Sequence, residues 1–212
     1  MHKLPAGALL VFMLLMSVSL VQAAEIPVVP GPDDPIASAL AQAQPGDTIY
    51  LAGDDDPATP DYTEAVTVPA ALSSLTIVGQ KNGSVYPEWR APENGDVLVV
   101  EAVGLTLTGI EFTGTNPSRG VVLSAASAST LIEDCRFALK NGTKLWRAID
   151  VVEGSTSNQV VESHFENQSY GLWADWTMPA DSGLVISGNT FVDCVAGVEL
   201  NNLEGLQVSG NS

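Results

Sequence analysis

Leu105-Thr106-Leu107-Thr108-Gly109-Ile110-Glu111-Phe112 returns as Thr130-Leu131-Ile132-Glu133-Asp134-Cys135-Arg136-Phe137. It returns again as Gln159-Val160-Val161-Glu162-Ser163-His164-Phe165 and as Leu184-Val185-Ile186-Ser187-Gly188-Asn189-Thr190-Phe191. A fifth copy begins at Leu206-Gln207-Val208-Ser209-Gly210-Asn211-Ser212. The four phenylalanines are separated by 25, 28 and 26 residues, a period typical of solenoids. A second apolar run follows each of them: Gly120-Val121-Val122-Leu123, Ala148-Ile149-Asp150-Val151, Gly171-Leu172-Trp173-Ala174 and Gly197-Val198-Glu199-Leu200. Each repeat therefore supplies at least two short strands with a corner between them. One such coil cannot bury its apolar face alone, whereas stacked coils bury a continuous one.

Upstream of the repeats, Asp33-Asp34-Pro35 reads as a helix start with an acidic cap and an early proline. Ile36, Ala39, Leu40 and Ala43 then fall on one helical face, and Pro45-Gly46 ends the helix. Short β-branched runs follow at Ile49 to Leu51, Val66 to Val68, Leu75 to Val78 and Val97 to Val100, spaced like successive strands. The whole pattern resembles the right-handed parallel β-helix proteins of the pectin-lyase-like superfamily. Two stretches carry the likeness: the 36–43 helix leading into Gln44-Pro45-Gly46-Asp47-Thr48-Ile49, and the strand–turn unit Ile186-Ser187-Gly188-Asn189-Thr190-Phe191. The resemblance implies an all-β, right-handed parallel β-helix (a solenoid) over residues 33–212, with a short N-terminal capping helix over the first coil. That superfamily holds lyases, hydrolases, esterases and adhesins, so the likeness implies a fold and leaves the activity open. The interrupted fifth copy carries the expectation that the solenoid is truncated at its C-terminal end, with further coils or a partner covering it.

Residues 1–23 read as a signal peptide, with Lys3, the apolar run from Ala8 to Val21 and Val21-Gln22-Ala23 as a cleavage site. Residues 24–32 then read as a Pro-rich linker. The expected mature chain is secreted, at the cell surface or periplasmic, with no membrane span. The formal net charge of −17 excludes nucleic acid as a partner, because that contact needs a basic footprint. It also disfavours polyanionic glycans unless a cation bridges the like charges. Cys135 and Cys194 sit two repeats apart at different points of the repeat. An axial offset of about 10 Å exceeds the roughly 7 Å that a disulfide spans, so both thiols are expected to be free.

Strand alternation turns the residues one and three before each phenylalanine outward. That face carries Glu111, Asp134, Arg136, Glu162 and His164. Asp134, Arg136, Glu162 and His164 are the candidate catalytic set: carboxylates acting as acid and base or holding a cation, with Arg136 or His164 handling a proton. A solvated face of weak charge pairs is the competing reading. A second outward column reads Val122, Asp150, Trp173, Glu199. Asp150 and Glu199, about 10 Å apart, stand at the outer limit for an inverting glycosidase pair. The indole between them also suits simple sugar stacking. Trp146, Tyr170 and Trp176 in the neighbouring loops complete a candidate substrate-binding set of Asp150, Trp173, Glu199, Trp146, Tyr170 and Trp176, against the alternative that these aromatics are packing.

No cofactor is identifiable. Calcium is an alternative at Asp54-Asp55-Asp56 with Asp61 and Glu64, although the spacing of an EF-hand loop is lacking. Motifs of catalytic relatives are absent. Asn189-Thr190-Phe191 breaks the Asn-Thr-Asp of polygalacturonase-like enzymes, and their His-Gly and Arg-Ile-Lys segments are missing. The sequence therefore favours a carbohydrate-binding or surface-structural module whose partner is a polysaccharide or cell-surface glycan. The rival is a polysaccharide lyase or glycoside hydrolase, and a third reading is an adhesin-like passive spacer.

Overall fold

The computed structural model describes residues 22–53, 59–93, 95–140 and 142–212, without the side chains of 178 and 179. The expected signal peptide, apart from its last two residues, and Asp54 to Asp56 lie outside that range. The described chain winds into three stacked parallel sheets. Sheet 1 has eight strands: Glu25–Val28, Thr48–Ala52, Thr76–Gln80, Thr106–Thr108, Leu131–Glu133, Gln159–Val161, Val185–Ser187 and Gln207–Ser209. Sheet 2 has six: Val66–Val68, Leu98–Val100, Arg119–Leu123, Arg147–Val151, Tyr170–Asp181 and Ala196–Glu204. Sheet 3 has six: Tyr62–Thr63, Glu88–Arg90, Glu111–Thr113, Arg136–Phe137, His164–Glu166 and Thr190–Val192. This is the parallel β-solenoid that the repeat and the superfamily resemblance implied.

The repeated phenylalanines point inward and stack face to face. Trp89, Phe112, Phe137, Phe165 and Phe191 form one column, with ring centroids 5.9, 5.1, 4.8 and 4.8 Å apart. The last three intervals match the strand spacing of about 4.8 Å, so backbone ladder and ring stack share one repeat distance. An aliphatic column runs beside it in strict register: Ile49, Ile77, Leu107, Ile132, Val160 and Ile186. All six are fully buried.

The corner between sheets 1 and 3 departs from the expected alternation. The residue three before each phenylalanine lies in no strand. Gly109, Asp134, Glu162 and Gly188 all take left-handed backbone conformations, with φ of 72°, 49°, 50° and 67°. That turn reverses the chain between two strands, and glycine adopts it without steric cost. The next residue is then directed inward, where Asn189 closes the corner. Its Oδ1 accepts the Ser163 N–H at 2.9 Å, its Nδ2 donates to the Val160 carbonyl at 2.8 Å, and its own N–H donates to Asn211 Oδ1 at 2.8 Å. Buried backbone groups that a sharp corner leaves unpaired are satisfied this way.

Two expectations at the N-terminal end are corrected. Glu25–Val28, read as linker, is a strand paired in parallel with Thr48–Ala52, so it occupies the edge assigned to the helix. Its alternating Ile26 and Val28 supply the buried side that makes the pairing worthwhile. The helix, Pro35–Leu40, buries Ile36, Ala39 and Leu40 as the pattern required. Asp34, however, makes no side-chain cap. Glu64 does so from a distance, its two carboxylate oxygens accepting the Ile36 and Ala37 N–H groups at 2.9 and 3.0 Å. Both oxygens of Glu64, named above as an alternative calcium ligand, are thereby engaged. Burial raises its pKa, against the lowering effect of the two backbone hydrogen bonds. Cys135 and Cys194 are free thiols, and burial pushes the Cys135 pKa up to about 12.

Phe137 sits in the middle of the aromatic column with no exposed surface. Phe137→Ala should cost about 3–5 kcal/mol in urea unfolding, whereas an effect below about 1 kcal/mol would mean the stack does not hold the coils together.

Candidate functional site

Two outward faces carry the candidate residues, and their chemistry differs. On sheet 3, strand register places Glu88, Glu111, Arg136, His164 and Thr190 in one row across five coils. Glu88 is nearly sealed, 2 % exposed. Its Oε1 accepts Thr113 Oγ1 at 2.6 Å and Arg90 Nη2 at 2.8 Å, and its Oε2 pairs with Lys140, which reaches back across 52 residues. Arg136 Nη2 holds Glu166 at 2.9 Å and its Nε lies 3.7 Å from Glu111. His164 Nε2 stands 3.8 Å from the same Glu166 oxygen.

Glu111 is the unusual member. Its side chain is 13 % exposed, and its ion-pair contacts are long, 3.7 Å to Arg136 and 3.9 Å to Lys140. Burial raises its pKa and outweighs the pull of Lys140 and Arg136. A carboxyl whose burial favours the protonated form is suited to act as a general acid. The other two residues of the catalytic candidate set do not join this row. Asp134 sits on the left-handed corner, where its carboxylate accepts Tyr86 Oη at 2.8 Å and pairs with Lys81. Lys81 in turn lies 4.7 Å from the Tyr86 ring centroid, so the 81–86 turn is clamped onto Asp134. Glu162, one coil on, is exposed and bonds to no described side chain.

The sheet 2 face carries the aromatic candidates. Val122, Asp150, Trp173 and Glu199 fall in one row as expected. A second row, Arg119, Arg147, Tyr170 and Ala196, lies beside it. Between the rows the coils press together at small residues: a Cβ on Gly171 would meet the Gly197 carbonyl oxygen at 2.3 Å and the Phe191 ring at 2.7 Å. That close approach lets two neighbouring rows of side chains face the same way.

Asp150 is 4 % exposed and locked. Its Oδ2 accepts Arg119 Nη1 at 2.5 Å and Arg147 Nη1 at 2.9 Å. Arg119 forks onto Asp96 with bonds of 2.8 and 2.6 Å. These bonds to Asp96, then Asp150, hold the guanidinium pKa above its usual value despite burial. The pair of open acids suggested by repeat spacing is therefore not present, because the two arginines occupy Asp150. Arg147 also stacks on two indoles, its guanidinium carbon 3.9 Å from the Trp146 centroid and 4.5 Å from that of Trp173. Tyr170 closes edge-on to Trp173 at 4.7 Å.

Trp176 is corrected: it is core, 2 % exposed, with its Nε1 donating to the Val151 carbonyl at 3.0 Å. Beside these groups lies an open cleft of about 350 Å³, lined by Arg147, Asp150, Glu153, Trp173, Asp175 and Trp176. Glu153 is engaged there, accepting the Thr177 hydroxyl at 2.7 Å. Sequence reading missed Arg119, Arg147 and Asp96. An arginine recurring at one repeat position, Arg119 and Arg147, was the available signal.

No family model matches the chain, and no curated protein does. Among solved structures it is similar in fold to an alginate lyase from Paenibacillus sp. str. FPU-7, with a TM-score of 0.64 and 20 % identity. The likeness covers 89 % of this chain but 65 % of that one, so this chain spans under two thirds of the enzyme's length. It shows the parallel β-solenoid fold.

Two substitutions test these electrostatics. Asp150→Asn leaves two arginines facing a neutral amide and should cost about 3 kcal/mol; a cost near zero would show the network to be solvated and slack. Glu111 has a folded pKa above its unfolded value, so the native state holds that proton longer. Stability drawn from this group therefore falls as pH rises from about 4.5 through the folded value. Glu111→Gln should gain stability relative to wild type between pH ~4 and pH ~7, read by urea unfolding at each pH; a constant or shrinking difference would contradict the assignment.

Proposed function

We propose that this chain is an exported polysaccharide-binding β-helix whose ligand lies along the sheet 2 cleft against Trp173. The observation that carries the reading is the cleft itself, with Trp173 half-exposed at its wall and held by Arg147 on one side and Tyr170 at its edge. Sugar rings present a C–H face that packs on an indole, while their hydroxyls need acceptors at the rim. Exposed Asp175 lines the cleft, and half-buried Glu199 follows Trp173 in register on the next coil. The arginine sandwich orders the indole before binding, which lowers the entropy lost on association. Asp150 contributes by fixing Arg147 and so acts as a positioning residue.

A second reading, a lyase or hydrolase on the sheet 3 face, draws support from the half-buried Glu111 in one row with Arg136 and His164, and from the alginate lyase likeness. The two readings separate by experiment. Trp173→Ala should weaken retention of the protein on soluble glycans in affinity electrophoresis by roughly tenfold or more, about the value of one stacked aromatic, with the thermal midpoint little changed. Unchanged retention would assign the indole to packing. Release of reducing ends or unsaturated sugars by wild type, abolished in Glu111→Gln and His164→Ala, would establish the second reading instead.

A further inference from the structure

The charge around the cleft narrows the ligand class, on the basis of the glycan-binding reading above. Asp150, Glu153 and Asp175 line or underlie the cleft, Asp96 backs Arg119, and Glu199 follows Trp173 in register. Only two guanidiniums, Arg119 and Arg147, stand against these five acids among the side chains lining the cleft and their partners. Neither offers a free bidentate edge: Arg119 bonds Asp96 through two nitrogens and Asp150 through a third. Arg147 bonds Asp150 through Nη1 alone, but its unpartnered Nε is buried and its faces are covered by Trp146 and Trp173. A guanidinium in that state has little to offer a sugar carboxylate, which needs a bidentate donor pair to repay its desolvation. The chain as a whole carries −17, so the approach of a polyanion is opposed at long range as well.

What the cleft and the coil beside it do offer is acceptors. Asp175 is exposed, Glu199 is half-buried, and each carboxylate can take the paired hydroxyls of one sugar ring. An indole beside hydroxyl acceptors is the recognition chemistry of an uncharged pyranose. We infer that the cleft selects neutral polysaccharide, a hexosan or pentosan without carboxylate or sulfate, and rejects polyuronate.

The test is calorimetric titration of the full chain with cellohexaose, mannohexaose and xylohexaose, with galacturonate and guluronate hexamers, and with a glucosamine hexamer. Each is run at about 0.05 and about 0.5 M salt, in chelator and again with calcium. The expected result is binding of at least one neutral hexamer with an affinity that salt and calcium leave within twofold. Trp173→Ala should abolish it, with circular dichroism unchanged, and Asp175→Asn should weaken it severalfold. The Asp175→Asn, Glu199→Gln double variant should gain roughly tenfold at most for the uronate hexamers at low salt, as two like charges are removed.

Uronate or glucosamine binding that Trp173→Ala removes, with neutral hexamers unbound, overturns the selectivity and leaves the glycan cleft standing. Uronate binding only in calcium does the same and points to a bridging cation. Neutral binding that survives Trp173→Ala overturns the location. Binding of none of the probes overturns both this inference and the glycan reading on which it rests.

Discussion

The structure depends on one column of stacked rings. Trp89, Phe112, Phe137, Phe165 and Phe191 can lie face to face only if successive coils stay in register, because a one-residue slip turns each ring to the opposite side. From Phe112 to Phe191 the ring spacing follows the strand spacing of about 4.8 Å, so neither ladder strains the other there. With the register held, every outward residue has a defined neighbour one coil above and below. Rows of side chains on the surface are therefore a direct product of the core.

The three outward regions use that regularity differently. At the corner, the left-handed residues Asp134 and Glu162 are splayed away from the sheets, and Asp134 serves to clamp the 81–86 turn. On sheet 3, the acids Glu88 and Glu111 lie side by side. Arg90 and Lys140 hold Glu88 while Arg136 holds Glu166, leaving Glu111 as a half-buried acid with long contacts. On sheet 2, a local crowding of small residues sets two rows side by side. Arginines from one row neutralise the acid of the other and brace an indole against solvent. That last arrangement places a half-exposed aromatic on a rigid wall, the property expected of a recognition surface.

Much of this was legible in the residues because the phenylalanine period reports register directly. The rows Asp150–Trp173–Glu199 and Arg136–His164 follow from counting back or forward from a phenylalanine, and both hold. Strict alternation failed where the backbone leaves the strand, which is why Asp134 and Glu162 are not beside Arg136 and His164. Burial misled as well: Asp150 and Trp176 occupy plausible outward or loop positions, yet one is sealed by two arginines and the other donates to Val151 inside the core. Contacts that bridge loops, such as Lys140 with Glu88 and Lys81 with Asp134, join residues 52 and 53 positions apart, and no local pattern encodes them. Glu64 as the remote helix cap belongs to the same class, as does the pairing of Glu25–Val28 with the next strand.

Under the proposed function, recognition lies on the sheet 2 cleft, and the sheet 3 charges form a network or a separate chemical site. Amide hydrogen exchange with and without saturating cellohexaose, or whichever probe glycan the chain retains, tests that placement most directly. Slowed exchange concentrated in 147–153 and 170–176, with 134–140 and 162–166 unchanged, is the predicted result. Protection confined to 134–140 and 162–166 would contradict it and move the ligand to the row of Glu111, Arg136 and His164.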